Sequence, residues 1–160
     1  MELRFAEATD IPQLLQLLQQ VGQVHHQIRP DIFRPGAQKY DEASLLEILA
    51  DPARPIFVAA EGDTVLGYCF CVLKDYRGSG VQTDRVELYI DDLCVDENCR
   101  GTGVATALYR HVTGYARRIG CVFLSLNVWC GNDRAMAFYE KMGLTPRSIL
   151  LEMPLEDLPC

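Results

Sequence analysis

Apolar and polar positions along this chain follow helical and strand periods in turn. Leu3 and Phe5 alternate on a short first strand, Thr9-Asp10 supplies a helix cap, and Ile11, Leu14, Leu15, Leu18 and Val21 recur at helical spacing. Over residues 25–39 the period dissolves into a loop punctuated by Pro30, Pro35 and Gly36. Leu45, Leu46, Ile48 and Leu49 predict a second helix, stopped by Asp51-Pro52. Residues 56–60 read as a strand, Glu61-Gly62-Asp63 as a tight hairpin turn and residues 65–74 as the returning strand. A further turn containing Gly78-Ser79-Gly80 leads into a longer strand over 85–95. Val104, Leu108, Val112, Tyr115 and Ile119 then share one helix face, with Arg110, Arg117 and Arg118 outward and Gly120 as the stop. Residues 122–128 predict another strand, Asn132 opens a helix through Ala135, Phe138 and Met142 closed by Gly143, and residues 149–153 predict a last strand.

The resulting order is β-α-α-β-β-β-α-β-α-β. Three consecutive strands joined by hairpins precede a strand–helix–strand unit, so the sheet is mixed, antiparallel early and with one parallel crossover later: an α/β fold of the α+β mixed-sheet kind. A chain of 160 residues with 49% hydrophobic residues suffices for a core, and with no repeat or linker residues 1–160 are expected to form one domain. No run of about 18 apolar residues is present, which excludes a transmembrane helix, and the opening Met-Glu-Leu-Arg-Phe lacks a basic-then-apolar leader. Both point to the cytoplasm.

The net charge of −7 disfavours nucleic acid and anionic membranes as partners and favours a cationic one. The acids concentrate over 84–98, where Asp84, Glu87, Asp91, Asp92, Asp96 and Glu97 face a single base, Arg85. Asp96 and Glu97 fit a solvated turn; Asp91 and Asp92, inside an otherwise apolar strand, fit it less well. The seven cysteines have no Cys-x-x-Cys pair, and most lie in apolar runs such as Tyr68-Cys69-Phe70-Cys71-Val72, where the thiol packs as a small hydrophobe. No metal site is expected, because ligand spacing is missing and the adjacent His25 and His26 cannot share a helix face.

Chemistry concentrates in residues 89–108. A strand ends at Val95, an acidic turn follows, and Arg100-Gly101-Thr102-Gly103-Val104-Ala105 opens the third helix. Two glycines at a helix start leave backbone N–H groups uncovered by side chains, an arrangement that binds phosphate. A dinucleotide fingerprint lacks its third glycine here, and the Walker loop lacks Gly-Lys-Ser/Thr. The segment resembles the acetyl-CoA motif Arg/Gln-x-x-Gly-x-Gly/Ala of the GCN5-related N-acetyltransferases (GNAT), with Arg100, Gly103 and Ala105 at the defined positions. A second segment is similar to the same family's Asn-x-x-Ala-x-x-x-Tyr-x-Lys-x-Gly stretch, matched at Asn132, Ala135, Tyr139, Lys141 and Gly143.

The resemblance implies an N-acetyltransferase domain that moves an acetyl group from acetyl-CoA, its cosubstrate, to a small-molecule or peptide amine. It implies that residues 100–105 cradle the pyrophosphate, that backbone N–H groups of Leu93, Cys94 and Val95 meet the pantetheine arm and the oxyanion, that Asn132 contacts the cosubstrate, and that Tyr139 protonates the departing thiolate. The stretch Tyr89-Ile90-Asp91-Asp92 resembles Tyr-Leu-Glu-Asp of the diamine and polyamine acetyltransferases, which points to Asp91 as the base. Side chains alternate along a strand, so Asp91 and Asp92 both face one site only across a bulge; Asp92, Glu87 or water remain alternatives. A protein N-terminal or lysine acetyltransferase and a non-catalytic acyl-CoA sensor also stay open. The acceptor is chosen by the first helices and the 25–40 loop, and dimers, frequent in the family, are allowed without a nameable interface.

Overall fold

The computed structural model describes residues 1–155, so that of the seven cysteines Cys160 lies outside the described residues. The chain divides at Asn127 into two compact units. The first carries β1 (Glu2–Phe5), α1 (Ile11–Ile28), α2 (Glu42–Leu49), β2 (Ile56–Glu61), β3 (Thr64–Asp75), β4 (Val86–Val95), α3 (Val104–Arg118) and β5 (Phe123–Leu126). Its sheet runs β1-β2-β3-β4-β5, every pair antiparallel except β4 with β5. The mixed sheet with one late parallel crossover is the architecture that the hydrophobic pattern predicts.

Alternation along the strands explains the layers. Val58, Tyr68, Phe70 and Cys94 join Leu14, Leu17, Leu18, Leu45 and Ile48 of α1 and α2 in one buried cluster. Phe57, on the opposite face, meets Tyr115 and His111 of α3 edge-on at 5.0 and 5.5 Å between ring centroids. The sheet is therefore covered by α1 and α2 on one face and by α3 on the other. Asp10, the expected cap of α1, spends its buried carboxylate elsewhere: it accepts from Arg4 Nη1 at 2.7 Å, Arg4 Nη2 at 2.9 Å and the Glu7 N–H at 2.7 Å. That pairing joins β1 to the entry of α1, and the Arg4 guanidinium holds the Asp10 carboxyl below its usual range.

Two elements differ from the expectation. The first helix continues through His25 to Ile28, with the Arg29 N–H bonded to the His25 carbonyl, because Phe33 packs on the His25 ring and its carbonyl meets His26 Nδ1. In the second unit α4 (Asp133–Lys141) forms as expected, but residues 149–153 form no strand. Ile149, Leu150 and Leu151 are a continuous apolar run, 80–95% exposed, with no ladder partner among the described residues. Strand preference reports a fit to a neighbouring strand, and without one it produces no sheet.

β3 and β4 approach closely at Gly67, opposite Val95. A Cβ built there lies 2.7 Å from the Cys94 carbonyl oxygen, a backbone atom that cannot move alone. Gly67→Ala is expected to destabilise the fold by about 1–3 kcal/mol, read as a lowered urea midpoint. An unchanged or raised midpoint would show that the two strands give way freely.

Candidate active site

The chain places its candidate chemistry where β4 leaves its neighbours. The parallel ladder to β5 covers Glu87–Ile90 and ends there, whereas β4 continues to Val95 beside β3 alone. In an antiparallel ladder alternate residues turn their N–H and C=O away from the partner strand, so the edge over Leu93, Cys94 and Val95 presents backbone groups that meet no strand among the described residues. Cys94 itself turns into the core, 6% exposed with Sγ 3.6 Å from the Leu17 carbonyl, and burial pushes its thiol up to about 12. Its backbone pairs with Tyr68 of β3, leaving Leu93 and Val95 to present the outward groups, and its thiol offers no chemistry.

After Val95 the chain makes an anchored turn. Asp96 Oδ1 accepts from the Asn98 N–H at 2.9 Å, Asp96 Oδ2 from Gln20 Nε2 of α1 at 2.9 Å, and Gln20 Oε1 from the Glu97 N–H at 3.1 Å. Asp96, expected to be merely solvated, fixes the turn to α1. Arg100 Nε donates to the Val95 carbonyl at 3.3 Å, and Thr102 Oγ1 donates to the Cys99 carbonyl at 2.5 Å. Gly101 and Gly103 adopt φ of 79° and 92°, which a side chain resists, and a Cβ at either would meet nothing within 4 Å. α3 starts at Val104 with no side-chain cap, so the N–H groups of its first turn, at Val104 and Ala105, have no capping side chain beside this open stretch of backbone. That geometry fits the pyrophosphate of the expected cosubstrate.

The carboxylates occupy the middle of β4. Phe70 pairs with Asp92 while Cys71 pairs with Ile90, so Asp91 is an extra residue and β4 is bulged there. Asp91 Oδ2 accepts from Lys39 Nζ at 2.8 Å and from the Tyr40 hydroxyl at 3.3 Å. Asp92 Oδ2 accepts from the Tyr68 hydroxyl at 2.9 Å. Tyr40 stacks on Phe70 at 5.7 Å, and Phe70 meets Tyr68 edge-on at 4.9 Å, so one aromatic row backs both carboxylates. Arg54 Nη2 donates to the Tyr40 hydroxyl at 3.4 Å. The bulge that the sequence could only pose as a condition is present, and consecutive acids reach one cluster.

Desolvation pushes the Asp92 carboxyl up to about 6; Lys39 and the Tyr68 hydroxyl pull it down and Asp91 pushes it up. Glu87, the fallback base, is 0% exposed and held by Arg85 Nε at 2.6 Å, a buried ion pair that removes it from solvent chemistry. Lys39, Tyr40 and Tyr68 are the site residues that sequence reasoning missed. The first two lie in the aperiodic loop, more than fifty residues from Asp91, with no local signal. Tyr68 offered only its place in an apolar run.

In the second unit the Asn132 side chain accepts from the Ala135 N–H at 3.2 Å and caps α4, which carries Tyr139 half-buried with its ring 5.1 Å from that of Phe138. The cap uses the Asn132 oxygen, leaving the amide nitrogen as the end that donates.

Comparison with known proteins bears on the family and the fold. The model of the Acetyltransferase (GNAT) family matches residues 22–144. N-alpha-acetyltransferase 30 of Schizosaccharomyces pombe is 30% identical over 87 residues, 54% of this chain and 55% of the relative. Thialysine N-epsilon-acetyltransferase of Mus musculus is 24% identical over 144 residues, 89% of this chain and 81% of the relative. The alignments thus span about half the length of the first relative and most of the second. Among solved structures, a mutant of the BH1408 protein of Bacillus halodurans superposes with a TM-score of 0.91 at 28% identity, covering 97% of this chain and 99% of that one.

The raised Asp92 gives a stability test with a defined sign. Its folded carboxyl binds a proton more tightly than the unfolded one, so stability is lost as pH rises from 3.8 through about 6 and stays lower above. Asp92→Asn, which keeps an acceptor for Tyr68, is expected to gain about 1–3 kcal/mol near pH 7.5 and nothing near pH 3.5, measured by urea unfolding. The same change at both pH values would assign the effect to packing.

Proposed function

We infer the function from two premises: the chain belongs to the acetyltransferase (GNAT) family, and a bulged pair of carboxylates stands beside the open edge of β4. The protein transfers the acetyl group of acetyl-CoA to a cationic amine by direct attack on the thioester. The amine is argued from the Asp91–Asp92 pair, which already holds an ammonium, that of Lys39. The two curated relatives, whose names specify N-alpha and N-epsilon acetylation, support an amine nitrogen as acceptor.

An alkylammonium with a pKa near 10.4 must lose a proton before attack, a penalty of about 4–5 kcal/mol at neutral pH. Asp91 receives the ammonium, and Asp92, at about 6, is matched to accept the released proton at neutral pH and pass it to solvent. The nitrogen then attacks the thioester carbon. Of Leu93, Cys94 and Val95, the two whose N–H turns away from β3, Leu93 and Val95, receive the oxyanion, and Arg100, Gly101, Thr102, Gly103, Val104 and Ala105 hold the pyrophosphate. Asn132 is assigned to cosubstrate binding and Tyr139 to protonating the thiolate on the strength of the motif that both belong to. Residues 1–160 act in this reading as one acetyltransferase domain, and the six described free thiols suit the reducing cytoplasm.

The test is release of free thiol from acetyl-CoA across a panel of polyamines, amino acids, aminoglycosides and short peptides. Release that depends on a cationic amine is expected. Tight acetyl-CoA binding with silence across the panel would favour a non-catalytic sensor, and release with peptides alone would favour a protein acetyltransferase. Tyr139→Phe is expected to lower kcat at least tenfold with acetyl-CoA affinity within about twofold; equal loss of both would make Tyr139 a packing residue. Gly103→Glu, placing a carboxylate at the start of α3 at a strained φ, is expected to abolish acetyl-CoA binding in calorimetry, and retained binding would remove the cradle.

A further inference from the structure

Lys39 stands where the foregoing mechanism puts the acceptor nitrogen. It lies in the loop between α1 and α2, its side chain 45% exposed, with Nζ 2.8 Å from Asp91 and 5.4 Å from the centre of the Tyr40 ring. Burial works against its charge, but the attraction of Asp91 and Asp92 outweighs burial and raises its pKa, so it sits there as an ammonium. Chemically it is a primary alkylamine tethered beside a carboxylate able to take its proton. Tethering replaces a second-order encounter by a first-order one, which favours the internal amine whenever no external amine is bound.

We propose that Lys39 is a self-acetylation site: bound acetyl-CoA acetylates the Lys39 Nζ of the same chain when the acceptor subsite is free of substrate. This rests on the acetyltransferase reading above. The Lys39 ammonium passes one proton to the Asp91–Asp92 pair, and the neutral nitrogen attacks the thioester carbon. The C–N bond forms, the C–S bond breaks, the nitrogen loses its second proton, and the sulfur leaves as the CoA thiol. The products are an uncharged acetyl-lysine, CoA and one proton released to solvent. The acetylated side chain no longer pairs with Asp91, so an internal cation that competes with cationic acceptors is removed.

The sequence supplies its own controls, because Lys74 and Lys141 are the other two lysines. Lys74 Nζ is occupied over the Tyr89 ring at 3.7 Å, and Lys141 lies in the last turn of α4. The experiment incubates the purified full chain with acetyl-CoA and no amine, then maps acetylation by peptide mass spectrometry over time. Acetyl on Lys39 at least tenfold above Lys74 and Lys141 is expected, at a rate independent of protein concentration, slowed by an amine that supports thiol release. Gly103→Glu and heat-denatured protein should both lose that selectivity, and Lys39→Arg should show no acetyl at position 39. Unmodified Lys39 in protein that acetylates external amines would overturn the proposal and leave the acetyltransferase reading standing. Equal labelling of all three lysines, or labelling unaffected by Gly103→Glu, would assign the modification to uncatalysed chemistry and overturn it as well. If neither Lys39 nor any amine is acetylated and acetyl-CoA does not bind, the reading itself falls, and this proposal falls with it.

Discussion

One extra residue in β4 organises the site. Strand geometry sends successive side chains to opposite faces, and adjacent acids would ordinarily be divided between the α1–α2 layer and the α3 layer. The register shift at Asp91 suspends that rule once. Asp92 keeps the face that carries Tyr68, Phe70 and Cys94, and Asp91 turns toward Tyr40 and Lys39 beside it. The bulge falls just beyond Ile90, the last residue of β4 that pairs with β5. A doubled carboxylate and an unpaired backbone edge are therefore products of the same interruption.

Placing two acids together in a half-buried site has an energetic consequence. Desolvation and mutual repulsion both oppose ionisation, and the surroundings answer with a cation and hydroxyl donors rather than with open water. The aromatic row of Tyr40, Phe70 and Tyr68 backs the pair, while Lys39 and Tyr68 keep Asp92 low enough to be mainly ionised at neutral pH. A carboxyl near 6 is a poor investment for stability and a suitable proton acceptor for an ammonium at neutral pH. The buried Glu87–Arg85 pair, only a few residues earlier on β4, shows the contrasting outcome, in which a complete counter-charge leaves a structural ion pair.

How much was legible in the sequence follows from which interactions are local. The strand and helix order, the hairpin at Gly62 and the glycine-marked start of α3 are set by neighbours a few positions apart, and they stand where the pattern put them. The conflict between alternation and two adjacent acids was visible as well, and it named the bulge as its condition. Lys39 and Tyr40 were not visible, because a loop without a period carries no sign of which distant strand it meets. The strand expected over 149–153 failed for the complementary reason: its composition favours a sheet, but a strand exists only with a partner. Thr9-Asp10 marked the correct helix start, although the carboxylate serves Arg4 and the Glu7 N–H there.

In the proposed mechanism the paired carboxylates receive an ammonium and its proton, so that catalysis starts from the protonated form of the acceptor. The measurement that tests it most directly is the pH dependence of kcat/KM for a primary alkylamine between about pH 5 and pH 10.5. The account predicts a rise through about 6, where Asp92 ionises, then a plateau that falls only as the free amine deprotonates near 10.4. A kcat/KM that climbs with unit slope up to the pKa of the amine, with no plateau, would mean that the enzyme selects neutral amine from solution and that Asp91 and Asp92 take no proton.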